Sequence, residues 1–137
     1  MPLSVPKDCR TEGVLNVNVK AKDLALYTIR ITGNPKWFPQ EQQRYIELLQ
    51  KTALNIYVLC WRANNIKVGK SRDLFDDRME FQIRAINLCN DMQALIELAK
   101  PLFHLTSKRT RYWVKSTVEV RGLIRGWHES DMNRLRP

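Results

Sequence analysis

Glycine and proline are scarce, at five and six in 137 residues. An all-β domain with many tight turns needs more of both, so helices become the default expectation. Histidine is scarcer still. His104 and His128 are the only two, which excludes a histidine-rich metal site. Cys9, Cys60 and Cys89 form an odd set with no CxxC or Cys/His ligand spacing. A structural disulfide framework is therefore not expected, which favours a reducing compartment and a cytoplasmic protein. No apolar run reaches the ~18 residues of a membrane span, and the N-terminus lacks the apolar core of a signal peptide. A Gly-rich phosphate loop and a His-Glu-x-x-His motif are missing, as are the Glu-x-x-His pairs of a di-metal bundle. No metal or cofactor is expected, and nothing supports a Ser, Cys or His triad.

What the chain has in excess is positive charge. Lys and Arg number 23 against 14 Asp and Glu, for a formal charge of +9 and a pI near 9.8. Such an imbalance bears on partners and not on fold, and a single basic domain is a candidate for nucleic-acid binding. A merely basic protein, or one with an acidic protein partner, is the alternative. The length suits one domain that buries roughly 65–70% of its unfolded surface.

The apolar pattern has a helical period. Trp113, Thr117, Val120, Ile124 and Trp127 follow at steps of four, three, four and three. At 100° per residue they fall within about 80° of one another, the arc of a buried seam. Leu49, Ala53, Ile56, Cys60 and Ala63 make a second seam after Pro39, which could open that helix. A third runs through Phe75, Met79, Ile86, Cys89, Met92, Ile96 and Ala99, capped at its start by Ser71 or Asp73. Pro101 and His104 to Ser107 should end it, with Thr106 or Ser107 starting the last helix.

Upstream, Ala21, Leu24, Ala25 and Ile31 share one face of a shorter helix over residues 19–32, with Gly33 as its C′ residue and Asn34-Pro35 beyond. Before it, Leu15, Val17 and Val19 alternate with polar residues at a strand period. A lone strand has nothing to pair with, so residues 1–18 read as an extended or mobile arm. Residues 19–137 then form an all-α, antiparallel up-down four-helix bundle.

The basic residues carry the functional expectation. Lys108, Arg111, Lys115, Arg121 and Arg125 spread over the arc opposite and beside the last helix's seam, interrupted by Glu119 and Glu129. Arg72, Arg78 and Arg84 add charge to the third helix, partly neutralised at its start by Asp73, Asp76, Asp77 and Glu80. These eight are the candidate nucleic-acid-binding residues. Without a groove-entering motif they point to phosphate contact and not to base reading; a solvated cationic face without a ligand is the plain alternative. Trp113 and Trp127 read as core or subunit interface. Trp61 falls off its helix's seam, at a bundle edge or subunit contact. Trp37 and Phe38 are either an exposed docking knob or a plug under the first helix.

One spacing suggests chemistry. Arg121 and His128 lie about two turns apart on one helix face, which resembles the Arg-x4–6-His motif of the HEPN ribonucleases, themselves small helical bundles. The histidine would then serve as general acid or base, and the arginine would stabilise phosphate charge. Arginine is so abundant here that this pairing has a high chance of being accidental.

An ordered set of short elements from Lys22 to Arg134 also resembles a known family. They are Lys22-Asp23-Leu24, Asn34-Pro35-Lys36-Trp37-Phe38-Pro39, Arg62-Ala63-Asn64, and Arg78, Gln82 and Ala85. Tyr112-Trp113, Leu123-Ile124, Trp127, Ser130-Asp131 and Arg134 complete the set. Together they resemble the accessory variability determinants (Avd) of diversity-generating retroelements and the related bundle proteins encoded within intervening sequences of bacterial ribosomal RNA genes. The resemblance implies a non-catalytic, barrel-like homopentamer with a positive surface. It would bind the reverse transcriptase and template RNA or cDNA, and support mutagenic copying of the template. It transfers only the notion of a cationic face, to the arginines and lysines above.

Overall fold

The computed structural model describes residues 4–137, with side chains from Asn16 onward. Four long helices follow one another: α1 (Ser4–Thr32), α2 (Gln43–Asn64), α3 (Arg72–Phe103) and α4 (Ser107–Arg134). A single 3-10 turn, Gln40–Gln42, leads into α2 behind Pro39. Each helix packs on its neighbours in the chain, and α1 closes the ring against α4. Cross-helix contacts fix the directions. Tyr45 donates to the Leu95 carbonyl while Arg78 reaches that of Ala63, so contacts move down α3 as they move up α2. Likewise Gln82 meets Asp131 while Arg121 meets Asn90, and Trp113 meets Thr28 while Lys20 meets Glu119. Those pairings are antiparallel.

The predicted seams are the core. Leu49, Ala53, Ile56, Cys60 and Ala63 are buried, and so are Trp113, Thr117, Val120, Ile124 and Trp127. Trp113 donates its indole N–H to Thr28 Oγ1 at 3.0 Å, which satisfies the only polar atom of that side chain. Phe38 is fully buried, 4.6 Å from the Phe103 ring and 6.1 Å from Trp113. Of the two readings of Trp37-Phe38 the plug is correct for Phe38, while Trp37 is half-buried at its edge. Trp61 is exposed, as its position off the seam required.

Four local expectations change. The first helix does not start near Val19; α1 already includes residues 4–18, read from sequence as an extended arm. Residues 1–3 of that arm lie outside the described residues. A strand would put Val17 and Val19 on one face, yet Val17 is 1% exposed and Val19 52%. Their separation is that of a helix, where two residues span about 200°. The true seam runs through Val17, Ala21, Leu24, Thr28 and Ile31, all buried. Ile86 is only half-buried, because Arg78, Gln82 and Ala85 occupy the buried face of α3.

Helix ends differ as well. Pro101 does not terminate α3, which continues to Phe103. Within one turn of the end, a proline removes a single backbone bond, and the carbonyl left free is that of exposed Glu97. The chain leaves α3 at His104, whose left-handed φ of 55° lets the N–H of Leu105 close on the Lys100 carbonyl. Gly33, the expected left-handed cap of α1, has no positive φ; its N–H simply continues the ladder to Ile29. Ser71 and Thr106 cap α3 and α4 by accepting from the N–H groups of Leu74 and Arg109.

Cys60 and Cys89 face one another in the core, both fully buried. Burial pushes each thiol from 9.0 up to about 12; a neighbouring Cys89 adds to this for Cys60, whereas Arg121 and Arg125 oppose it for Cys89. With Cys9 replaced by serine, the folded protein is expected not to react with an aromatic disulfide reagent at pH 8 until it is denatured. The raised values also set a stability slope. Unfolded thiols ionise first, so stability falls as pH rises from about 9 towards 12. Rapid labelling of both thiols in the native state would contradict this placement.

Candidate nucleic-acid interface

The eight candidate cations do not form one patch. Lys108, Arg111 and Lys115 are exposed on the first turns of α4, and Arg125 is exposed further along it. Among the described residues, none of these four has a carboxylate within the 4.0 Å of an ion pair. Lys20 holds Glu119, the nearest interruption on α4, at 3.6 Å. Arg121 is half-buried, and its Nη1 donates to Asn90 Oδ1 (2.8 Å) and Gln93 Oε1 (2.9 Å) across the α3–α4 seam.

The α3 arginines lie elsewhere. Arg84 sits in a groove of about 370 Å³ between α2 and α3, opposite Arg62 and near Asn55 and Asn87. Arg72 marks the far end of the bundle, 3.6 Å from Asp76 and stacked over Phe75. Arg78 is the correction. It is only 8% exposed, and its guanidinium donates into the fold through Nε and Nη1. Its Nε donates to Asp131 Oδ2 at 2.8 Å, and its Nη1 donates to the carbonyls of Ile66 (2.9 Å) and Ala63 (3.3 Å). The plane also lies over the Trp127 ring, 5.3 Å from its centre. It is part of the buried interior and not of an exposed cationic face. Charge and periodicity around Arg78 do not reveal this, because the carboxylate that draws it inward is 53 residues away.

Asp131 is the centre of this buried network, with no exposed surface. Besides Arg78 it accepts from Gln82 Nε2 (2.7 Å) and Arg134 Nη2 (2.9 Å). Gln82 thereby turns its amide oxygen to His128 Nδ1 at 2.9 Å, which makes that ring nitrogen the donor. The other face of His128 lines a pocket of about 470 Å³ with Arg72, Glu80 and Arg136. Arg121 and His128 are thus engaged at different places on α3. Gln82 and Asn90 are eight residues apart, ~12 Å of helical rise. The two groups are not brought together on one phosphate. Among the described residues, no group of three His, Cys, Asp or Glu could hold a metal ion. Nor is any described helix long and apolar enough to cross a membrane.

Arg109 is not among the eight cations expected at the interface. At 100° per residue it falls on the edge of the Trp113 seam, which marks it as structural. Its guanidinium lies 4.2 Å from the centre of the Trp37 ring, and its Nε is buried without a partner. Lys36 approaches the same ring at 5.2 Å. Only the loop's Trp37, placed between two prolines, hinted that an aromatic surface forms there.

No family model, curated protein or solved structure matches the chain.

Proposed function

We propose that this protein is a non-catalytic, Avd-like accessory factor that holds RNA or cDNA against a reverse transcriptase through the exposed cations of α4. The observation that carries this reading is the set of Lys108, Arg111, Lys115 and Arg125, exposed and free of carboxylate partners among the described residues. Unpaired surface cations lose little by meeting phosphates, and they release condensed counterions when they do. The ordered sequence elements resembling Avd proteins supply the partner, a reverse transcriptase, and the homopentameric assembly. Leu54, Val58 and Trp61 form an exposed apolar stripe on α2, with Leu26 and Ile29 exposed on α1. Such a stripe supports self-association, since monomers rarely expose contiguous apolar faces.

The ribonuclease reading is weaker, because Arg121 and His128 have separate hydrogen-bond partners two turns apart on α3. One assay decides between them. Labelled RNA incubated with the protein and chelator, without and with the cognate reverse transcriptase, is expected to be retarded intact in both lanes and to carry the enzyme into the complex. Metal-free cleavage lost in His128→Ala would sink the accessory reading. RNA that stays free at low salt would leave a protein-interaction bundle.

A further inference from the structure

The first turns of α4 carry more than charge. Tyr112 is 57% exposed on the α1 side of the helix. Its ring meets that of Tyr27 at 4.9 Å, edge-on at 61°, so one face of Tyr112 is left to solvent. Tyr27 in turn lies beside Arg109, which pulls its phenol down against the larger upward push of burial. Arg109 then stacks on Trp37, and Lys36 reaches the same indole from the loop. Tyr112, Tyr27, Arg109, Trp37 and Lys36 therefore form one continuous strip across α4, α1 and the loop between α1 and α2, with two cations interleaved among three aromatic rings.

Electrostatics at the strip favour an anion. Arg109 has no carboxylate partner among the described residues. The nearby acids are Asp23 and Glu119, on the rim of the shallow groove beside Tyr112, and Glu119 is held by Lys20. Lys108 and Arg111 flank the strip on the exposed side of α4. A purely electrostatic surface would not need an exposed tyrosine. A base would, because every base has a π-face that stacks on an aromatic ring without regard to sequence.

We infer that this strip is a binding site for single-stranded nucleic acid, with one unpaired base stacked on Tyr112 and adjacent phosphates held by Arg109 and its flanking cations. The inference rests on the nucleic-acid reading above and narrows its ligand from any polyanion to an unpaired strand. Bases within a duplex are already stacked on one another and cannot cover the Tyr112 ring. Tyr112 supplies the stacking plane. Tyr27 and Trp37 position the cations, holding the Arg109 guanidinium in its plane.

The test compares wild type with Tyr112→Ala and Tyr112→Phe, titrated against a labelled 12-nucleotide single-stranded RNA and a duplex of the same sequence. Alanine at an exposed helical position leaves the fold intact, which a thermal melt checks. Tyr112→Ala is expected to weaken single-strand binding about five- to twentyfold. It should change duplex binding less than twofold and leave the salt slope unaltered, while Tyr112→Phe binds like wild type. Equal losses on both ligands, or no loss on the single strand, would overturn the stacking site while leaving the cationic face standing. Wild-type protein that binds neither ligand at low salt would remove both.

Discussion

Asp131→Ala is expected to destabilise the protein by about 3–5 kcal/mol, the usual cost of leaving a buried charge without its partner. For a chain of this size that corresponds to a fall of about 10–20 °C in Tm. The reason lies in what would be left behind. The Arg78 side chain is 10% exposed and would keep only the Ile66 and Ala63 carbonyls, while Gln82 Nε2 would lose its acceptor. Arg134, a third exposed, can turn to water and loses less. A double variant, Arg78→Met with Asp131→Leu, is expected to cost less than Asp131→Ala alone, because it removes both charges together. Calorimetry on the three proteins checks this. A Tm for Asp131→Ala within 2 °C of wild type would mean that the network does not hold α3 and α4 together.

The same network marks the boundary of what the sequence discloses. Helical seams are local, so their period alone located α2, α3 and α4 and most of their buried residues. The seam of α1 was harder to see because Thr28 is one of its members and Thr32 is buried one turn further on. Thr28 and Thr32 bond their hydroxyls to the carbonyls four residues back, at 2.8 and 2.6 Å, and so pass as apolar in the core. Without them, the alternation of Leu15, Val17 and Val19 looks like a strand. Charge is the opposite case. Whether a cation faces water or a buried acid depends on residues far along the chain, so Arg78 and Arg125 look alike in sequence. Once folded, Arg78 is a strut and Arg125 is free. Arg109 shows the converse failure, since a seam position conceals an arginine held between aromatic rings. The fold was legible from periodicity, whereas the candidate site was legible only as a list of charges.

Replacing Lys108, Arg111, Lys115 and Arg125 together with glutamine is expected to have the largest functional effect. Each phosphate neutralised contributes a slope of about −0.9 to log affinity against log salt on a duplex, and about −0.7 on a single strand. Four contacts give slopes of about −3.6 and −2.8, and the variant should lose most of either one. At ~0.1 M salt the accompanying loss of affinity is about a hundred- to a thousandfold. The formal charge falls only from +9 to +5, that is +9 less four, so a net-charge effect alone would be far smaller. Stability should hold, because none of the four is in an ion pair among the described residues and all are exposed. Arg72→Gln and Arg84→Gln provide the contrast. They lie at the far end of the bundle and in the α2–α3 groove, and each should lower the slope by at most about one unit. Titrations at four salt concentrations separate the cases. If the quadruple variant kept its slope while Arg84→Gln lost it, the binding face would lie between α2 and α3, beside Arg62. If all variants kept it, the cations would serve solubility, and the proposed nucleic-acid role would fall with them.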